Sequence, residues 1–352
     1  MKHFRGSYIF TIIGVILAYL WSHKMHPGTE LSCIFIVLTL SILEISLSFD
    51  NAVINATKLE KMSPKWQHRF LTWGILIAVF GMRFLFPVLV VSIFAHQGFL
   101  NVIDMALHNA DQYAHYLHIS HPPIITFGGA FLIMLFLSYF FNHEKDVHWL
   151  KPIEKPMSHI GHFRSVEVII TLLIIYFVQN NLDVAIRHQV IIAGIWGIII
   201  YLFVNDFSEL LESKAPKGDG CNVSGIFKNT CLVNFLYLEL IDASFSLDGV
   251  LGAFALSKDI VIITIGLSIG AMFVRSLTLM LVEKKTLKQY VYLEHGAHWA
   301  IGALAVIMFI STFKEISEVV TGLIGLVFIV LSFISSVVKN KNEIKKAEEQ
   351  PQ

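Results

Sequence analysis

Residues 44–53 read EISLSFDNAV and residues 242–251 read DASFSLDGVL. A shift of 198 positions lays Glu44 on Asp242, Ser46 on Ser244, Ser48 on Ser246 and Asp50 on Asp248. The shared pattern is an acid, then two serines and an aspartate at alternate positions. Each copy sits inside an apolar run of about 25 residues, long enough for a helix to cross a bilayer. An ionised carboxylate at that depth costs at least about 2.5–3.5 kcal/mol. Four of them in matching places call for a function.

The composition agrees with a membrane setting. Hydrophobic residues make up 55% of the 352 and charged residues only 15%, which is well below what a soluble domain carries. Formal net charge is zero, and no basic patch or acidic tail points to nucleic acid. Cys33, Cys221 and Cys231 show no spacing suited to a zinc site. No nucleotide-binding loop is present, so nucleotide hydrolysis does not drive the protein directly.

Apolar runs predict ten spans: residues 7–21, 31–56, 71–94, 124–141, 166–179, 189–204, 231–256, 259–282, 298–312 and 316–338. Three of these are short, so the expectation is nine or ten transmembrane helices. The distribution of positive charge tests the count, because each span moves the next loop to the other side. With the N-terminus inside, the inner segments hold twenty Lys and Arg and the outer segments four. Both termini are therefore expected in the cytoplasm, with residues 339–352 as a solvated tail.

Under this alternation the helix at 31–56 and the helix at 231–256 run in opposite directions. The repeat also extends further. Gly74 and Arg83 in the third span match Gly266 and Arg275 in the eighth, nine positions apart in both. The expected fold is an all-α, polytopic helical bundle of two inverted-topology repeats. Residues 1–141 form the first, with a motif helix at 31–56 and an arginine helix at 71–94. Residues 142–230 link the halves, and residues 231–338 form the second, with helices at 231–256 and 259–282. Inverted repeats that meet at the midplane are a recurrent transporter architecture.

Six residues separate Glu44 from Asp50, which puts them about 120° apart on a straight helix. A helix loosened between them would turn both inward. Ser46, Ser48, Ser244 and Ser246 are residues that compete for backbone groups where a helix opens. Asn51 adds an amide oxygen on the Glu44 face. Glu44, Asp50, Asp242 and Asp248 against Arg83 and Arg275 leave a formal charge of minus two. A divalent cation neutralises that charge, and carboxylate, amide and hydroxyl oxygens suit manganese, magnesium or calcium. The candidate metal ligands are therefore Glu44, Asp50, Asn51, Asp242 and Asp248. Their polar supports are Ser46, Ser48, Arg83, Glu239, Ser244, Ser246 and Arg275. Glu239 has no acidic counterpart, since Ser41 holds the matching position.

Residues Leu43 to Phe94 and Leu240 to Leu287 resemble the TerC family of bacterial integral membrane proteins, within the LysE transporter superfamily. In the second stretch, DASFSLDGVLGAFALSKDIVIITIGLSIGAMFVRSL is similar to the family's acidic motif, its following acid at Asp259 and its late glycine and arginine. The resemblance implies a multi-pass protein of the bacterial inner membrane that exports manganese, with the membrane acids as ligands and the ion as substrate, not cofactor. No enzymatic activity is expected.

His108, Asp111, His115 and His118 fall at helical spacing in the segment 95–123, where they could gather metal outside. His143, His148, His159 and His162 read as solvated. Other functional classes remain open at this point. One is a membrane scaffold of a metal or tellurite stress-response complex, with membrane or stress-response protein partners. Another is an exporter of a different small solute. An intramembrane aspartyl protease fits poorly, because Leu247–Gly249 offers LDG without GxGD.

Overall fold

The computed structural model describes residues 3–348 apart from 26, 61, 144, 146, 162–164, 213–229, 258, 315 and 317. At some helical positions, among them 244–248, it describes the backbone alone. Every regular element among the described residues is helical. The order is α1 (Arg5–Met25), α2 (Glu30–Leu47), α3 (Phe49–Leu59), α4 (Pro64–Leu76), a π-helical segment (Ile77–Leu85), α5 (Phe86–Phe94), α6 (Phe99–His108) and α7 (Ala110–Phe141). There follow α8 (Lys151–Ile160), α9 (Val166–Asn180), α10 (Val184–Glu212), α11 (Thr230–Leu256), α12 (Ile260–Glu283), α13 (Thr286–Gln289), α14 (Leu293–Ser311) and α15 (Glu318–Glu348). Among the described residues eight helices are long and apolar enough to cross a membrane, where nine or ten were expected. The chain is a polytopic helical bundle.

Burial divides these helices into two kinds. α7, α12 and α14 are buried along most of their length, while α1, α2 and α15 turn Ile9, Ile12, Phe35, Ile42, Val327 and Ile334 outward. Apolar side chains on the outside and charged ones within suit a bundle solvated by lipid.

Contact register fixes the relation of the two motif helices. On α2 and α12, the Ser41 hydroxyl donates to the Gly266 carbonyl at 2.9 Å, and Glu44 lies one turn further along against Gly270. The two helices therefore run parallel. α12 is joined to α11 by residues 257–259, and Arg275 meets Glu239 across the pair, so α11 and α12 run antiparallel. α2 and α11 consequently point in opposite directions.

Three expectations about the elements change. The first motif helix does open, at Ser48, whose φ of −101° and ψ of 18° separate α2 from α3. α11, by contrast, is unbroken through residues 242–251, so the second copy does not share the opening. A serine permits an opening without forcing one: Ser41 and Ser46 return their hydroxyls to the carbonyls of Val37 and Ile42 and leave the helix intact. The arginine helix at 71–94 is widened over Ile77–Leu85. Pro87 has no N–H for the Arg83 carbonyl and its ring crowds that group, and widening the turn relieves both problems.

The segment 95–123, which no predicted span covers, is mostly helical. α6 and the first turns of α7 fill it, and α7 passes through Pro122 and Pro123 for 32 residues, about 48 Å. Packing on neighbouring helices tolerates prolines that would end an isolated helix.

Candidate functional site

Glu44 is the centre of the first half of the polar core. It is 2% exposed and is held by the Arg83 guanidinium at 2.5 Å and the Ser48 hydroxyl at 2.8 Å. Arg83 reaches it from the π-segment, and Ser48 from the opening between α2 and α3. A Cβ on Gly270 would come within 2.6 Å of the Glu44 stem, so α12 packs on that side with bare backbone. A Cβ on Gly249 would lie 3.1 Å from Glu44 Oε2, which brings α11 against the carboxylate.

The second half is built around Arg275, 4% exposed on α12. Its Nη2 donates to both oxygens of Glu239 at 3.1 and 3.2 Å and lies 3.5 Å from Asp242 Oδ2. Its Nη1 donates to the Phe70 carbonyl at 3.0 Å, and the guanidinium stacks over the Phe70 ring. Asn51 Nδ2 donates to Asp242 Oδ1 at 2.8 Å. Glu239 is thus the main partner of Arg275, a larger part than the supporting contact expected for it.

Three contacts recur in both halves. Under the 198-residue shift, the approach of Gly249 to Glu44 corresponds to the hydrogen bond of Asn51 to Asp242. A longer acid faces a residue without a side chain, and a shorter acid faces one long enough to bridge the gap. With the glycine and arginine helices offset by 192, Ser41 against Gly266 corresponds to Glu239 against Gly74, where a Cβ would meet Glu239 Oε1 at 2.7 Å. Arg83 with Glu44 corresponds to Arg275 with Asp242.

Asp50, 4% exposed, stands in the first turn of α3 and accepts the Asn51 backbone N–H at 2.9 Å. With Glu44, Ser48 and Gly249 it lines a cavity of about 20 Å³, bounded on the far side by Ala300, Leu304, Thr321 and Gly325. That is room for one water-sized occupant. The opening at Ser48 brings Glu44 and Asp50, which a straight helix would part, onto one cavity. Two oxygens of the core, Asn51 Oδ1 and Asp242 Oδ2, are buried without a hydrogen-bond donor; Asp242 Oδ2 has only the longer ion-pair approach of Arg275. Asn55 Oδ1, one turn beyond Asn51 on α3, is in the same condition. Asn55 is a polar core residue that helical spacing from Asn51 would have found.

Not every expected residue joins this core. Ser46 is exposed and bonds only the Ile42 carbonyl, because two positions from Glu44 is the opposite side of a helix. The side chains of Ser244, Ser246 and Asp248 lie outside the described residues. His108, Asp111, His115 and His118 are all exposed. The chain turns at Asn109, which puts His108 on α6, bonded to Asp104 at 2.9 Å, apart from the other three on α7. Among the described residues no three His, Cys, Asp or Glu side chains stand close enough to hold a metal ion.

Sequence reasoning missed a second polar cluster. Glu154 on α8, 1% exposed, accepts the backbone N–H groups of Trp149 and Leu150 at 2.8 and 3.1 Å and the Trp299 indole N–H at 3.1 Å. His295 of α14 lies 3.1 Å away and His148 3.8 Å away, so His148 is not a solvated histidine. Burial alone would raise the Glu154 carboxyl. The bonds from His295 and Trp299 outweigh it and hold the group at about 2.

A lipid-solvated bundle whose interior pairs two arginines with four carboxylates, Glu44, Asp50, Glu239 and Asp242, is an integral membrane protein with a polar core at membrane depth. The chain belongs to the family described as Protein of unknown function (DUF475), whose model matches residues 49–343. That match takes in α3 and the whole of the second half, and begins just beyond Glu44. No curated protein and no solved structure matches the chain.

Proposed function

We propose that this protein is a secondary transporter of the TerC type that exports a divalent cation, manganese foremost, across the bacterial inner membrane, with both termini in the cytoplasm. The observation that carries the reading is the small cavity where Glu44 and Asp50 meet at the opening between α2 and α3. Broken helices that place carboxylates, free carbonyls and a helix end at one midplane point are how secondary transporters hold ions. Asp50, Asn51 and Asp242 contribute hard oxygens, two of which have no hydrogen-bond donor. The four described acids exceed the two arginines by two charges, the charge of the cargo. In the arrangement described, Arg83 and Arg275 hold Glu44, Glu239 and Asp242, and a cation entering the cavity would compete with them for the carboxylates.

The antiparallel run of α2 and α11 supports alternating access, and α3 offers a route inward. Asn51, Asn55 and then Thr57 and Lys58 follow one another from the acids to a large cavity at the far end of the helix. Proteoliposomes loaded with a manganese-sensitive dye test the proposal. Wild-type protein should move manganese down an imposed gradient, and Asp50→Asn and Glu44→Gln should reduce the rate at least about tenfold. Equal rates in wild type, both variants and empty vesicles would remove the transport reading.

A further inference from the structure

The ends of α3, α7 and α10 and the start of α14, which the alternation of spans puts on one side of the membrane, enclose a cavity of about 760 Å³. It is within the 300–1,000 Å³ range of small-molecule sites. Three lysines from three separate elements line it: Lys58 of α3, Lys145 after α7 and Lys288 of α13. Lys288 is paired with Glu60 at 2.9 Å, and Lys58 lies 4.9 Å over the Tyr237 ring.

Lys145 differs from both. Its Nζ is buried and has no hydrogen-bond acceptor. Among the described residues no carboxylate comes within ion-pair distance of it; Glu294 and Glu154 act on it only through space. It lies over the face of Tyr139, at 2.8 Å from the ring centroid, with the Phe140 ring 5.1 Å away. The Tyr139 ring is fixed in turn by stacking on His298, 3.4 Å away and 7° from parallel. A ring face attracts an ammonium but accepts none of its three N–H bonds in the way an oxygen does. A buried lysine with unused donors, at the wall of a polar cavity, is a place for an anion.

We propose that this cavity binds a phosphate-bearing solute of up to nucleotide size, with the Lys145 ammonium as its principal donor and Lys58 and Lys288 around it. The site is separate from the membrane acids and does not depend on the nature of their cargo. Phosphate supplies several strong acceptor oxygens for a compact ammonium, and Tyr201 and Tyr237 are also part of the lining.

The test uses the full chain in neutral detergent. Thermal unfolding is followed against inorganic phosphate, then adenosine monophosphate, with chloride at equal ionic strength as reference; a third arm compares nanodiscs with and without phosphatidylglycerol. A saturable rise in Tm with either soluble phosphate is expected. Lys145→Met should weaken it about tenfold or more, and Lys145→Arg should preserve it. A rise confined to the phosphatidylglycerol nanodiscs, and lost in Lys145→Met, supports the same chemistry with a lipid headgroup as its source. No saturable rise in any arm, or an equal rise in Lys145→Met, overturns the proposal. Should Lys145→Met not fold, acetylation of Lys145 in the wild-type protein, read by mass spectrometry, replaces it: protection by phosphate supports the site and no protection refutes it.

Discussion

Replacing Arg275 with methionine would remove the guanidinium and keep a side chain of similar reach over Phe70. Three interactions disappear together: the contact to both Glu239 oxygens, the 3.5 Å approach to Asp242 and the bond to the Phe70 carbonyl. Breaking a buried pair by deleting one partner costs about 3–5 kcal/mol, most of it the penalty of leaving the other charge uncompensated. The orphaned Phe70 carbonyl adds about 1–3 kcal/mol at most, and the terms overlap because one group makes all three contacts. The expected loss is therefore about 4 kcal/mol, read as a shift in the unfolding midpoint in mixed micelles. Adding Glu239→Gln should recover part of it, since the amide leaves no buried charge. Arg275→Lys should fall between, because a single ammonium cannot reach Glu239 and the Phe70 carbonyl in one geometry. A loss below about 1 kcal/mol, or a double variant no more stable than Arg275→Met, would show that the charges are not paired in the way described.

Gly270→Ala should cost about 1–3 kcal/mol, because the added carbon would meet the Glu44 stem and the Ser41 carbonyl at 2.5–2.8 Å; expression and midpoint both report it, and an unchanged midpoint would mean that α2 and α12 are less tightly packed. Glu154→Gln keeps an acceptor and loses the charge, so the amides of Trp149 and Leu150 should exchange hydrogen about tenfold faster or more, whereas unchanged protection would show that α8 is held by other contacts. Lys145 is pushed down to about 7 by burial, against the pull of Glu294 and Glu154. Below that value the folded and unfolded chains both carry the proton. Between about 7 and 10 only the unfolded chain holds it, so stability should rise with pH in that window, and Lys145→Met should flatten the rise. A slope unaltered by the substitution would assign the titration to another group.

Most of the spans were legible because long apolar runs mark them: eight of the described helices are long and apolar enough to cross a membrane, where ten runs were read as spans. The two motifs were legible because acids in apolar runs are rare. What eluded the sequence was decided by tertiary contact. Whether a serine opens a helix depends on which acceptor its hydroxyl finds: Ser48 found the Glu44 carboxylate, while Ser41 and Ser46 found carbonyls of their own helix. Pro122 and Pro123 read as the start of a span, yet α7 continues through them because its flanks are packed. Pro87 was the one sequence signal for the widened turn that carries Arg83, and it is an ambiguous one. Lys145 counted as one more inner positive charge; its burial under Tyr139 depends on where the chain returns after α7.

The paired mismatch of Glu44 with Gly249 and Asp242 with Asn51 bears on how the molecule tells its two faces apart. Exchange the residues across the axis, so that the short acid and the amide change places with the long acid and the glycine, and the same core is rebuilt upside down. Nothing in the pairing itself distinguishes in from out. Any difference between the two ends of the bundle must therefore reside in what the halves do not share: the opening at Ser48, the widened turn around Arg83 and the lysines gathered at one end.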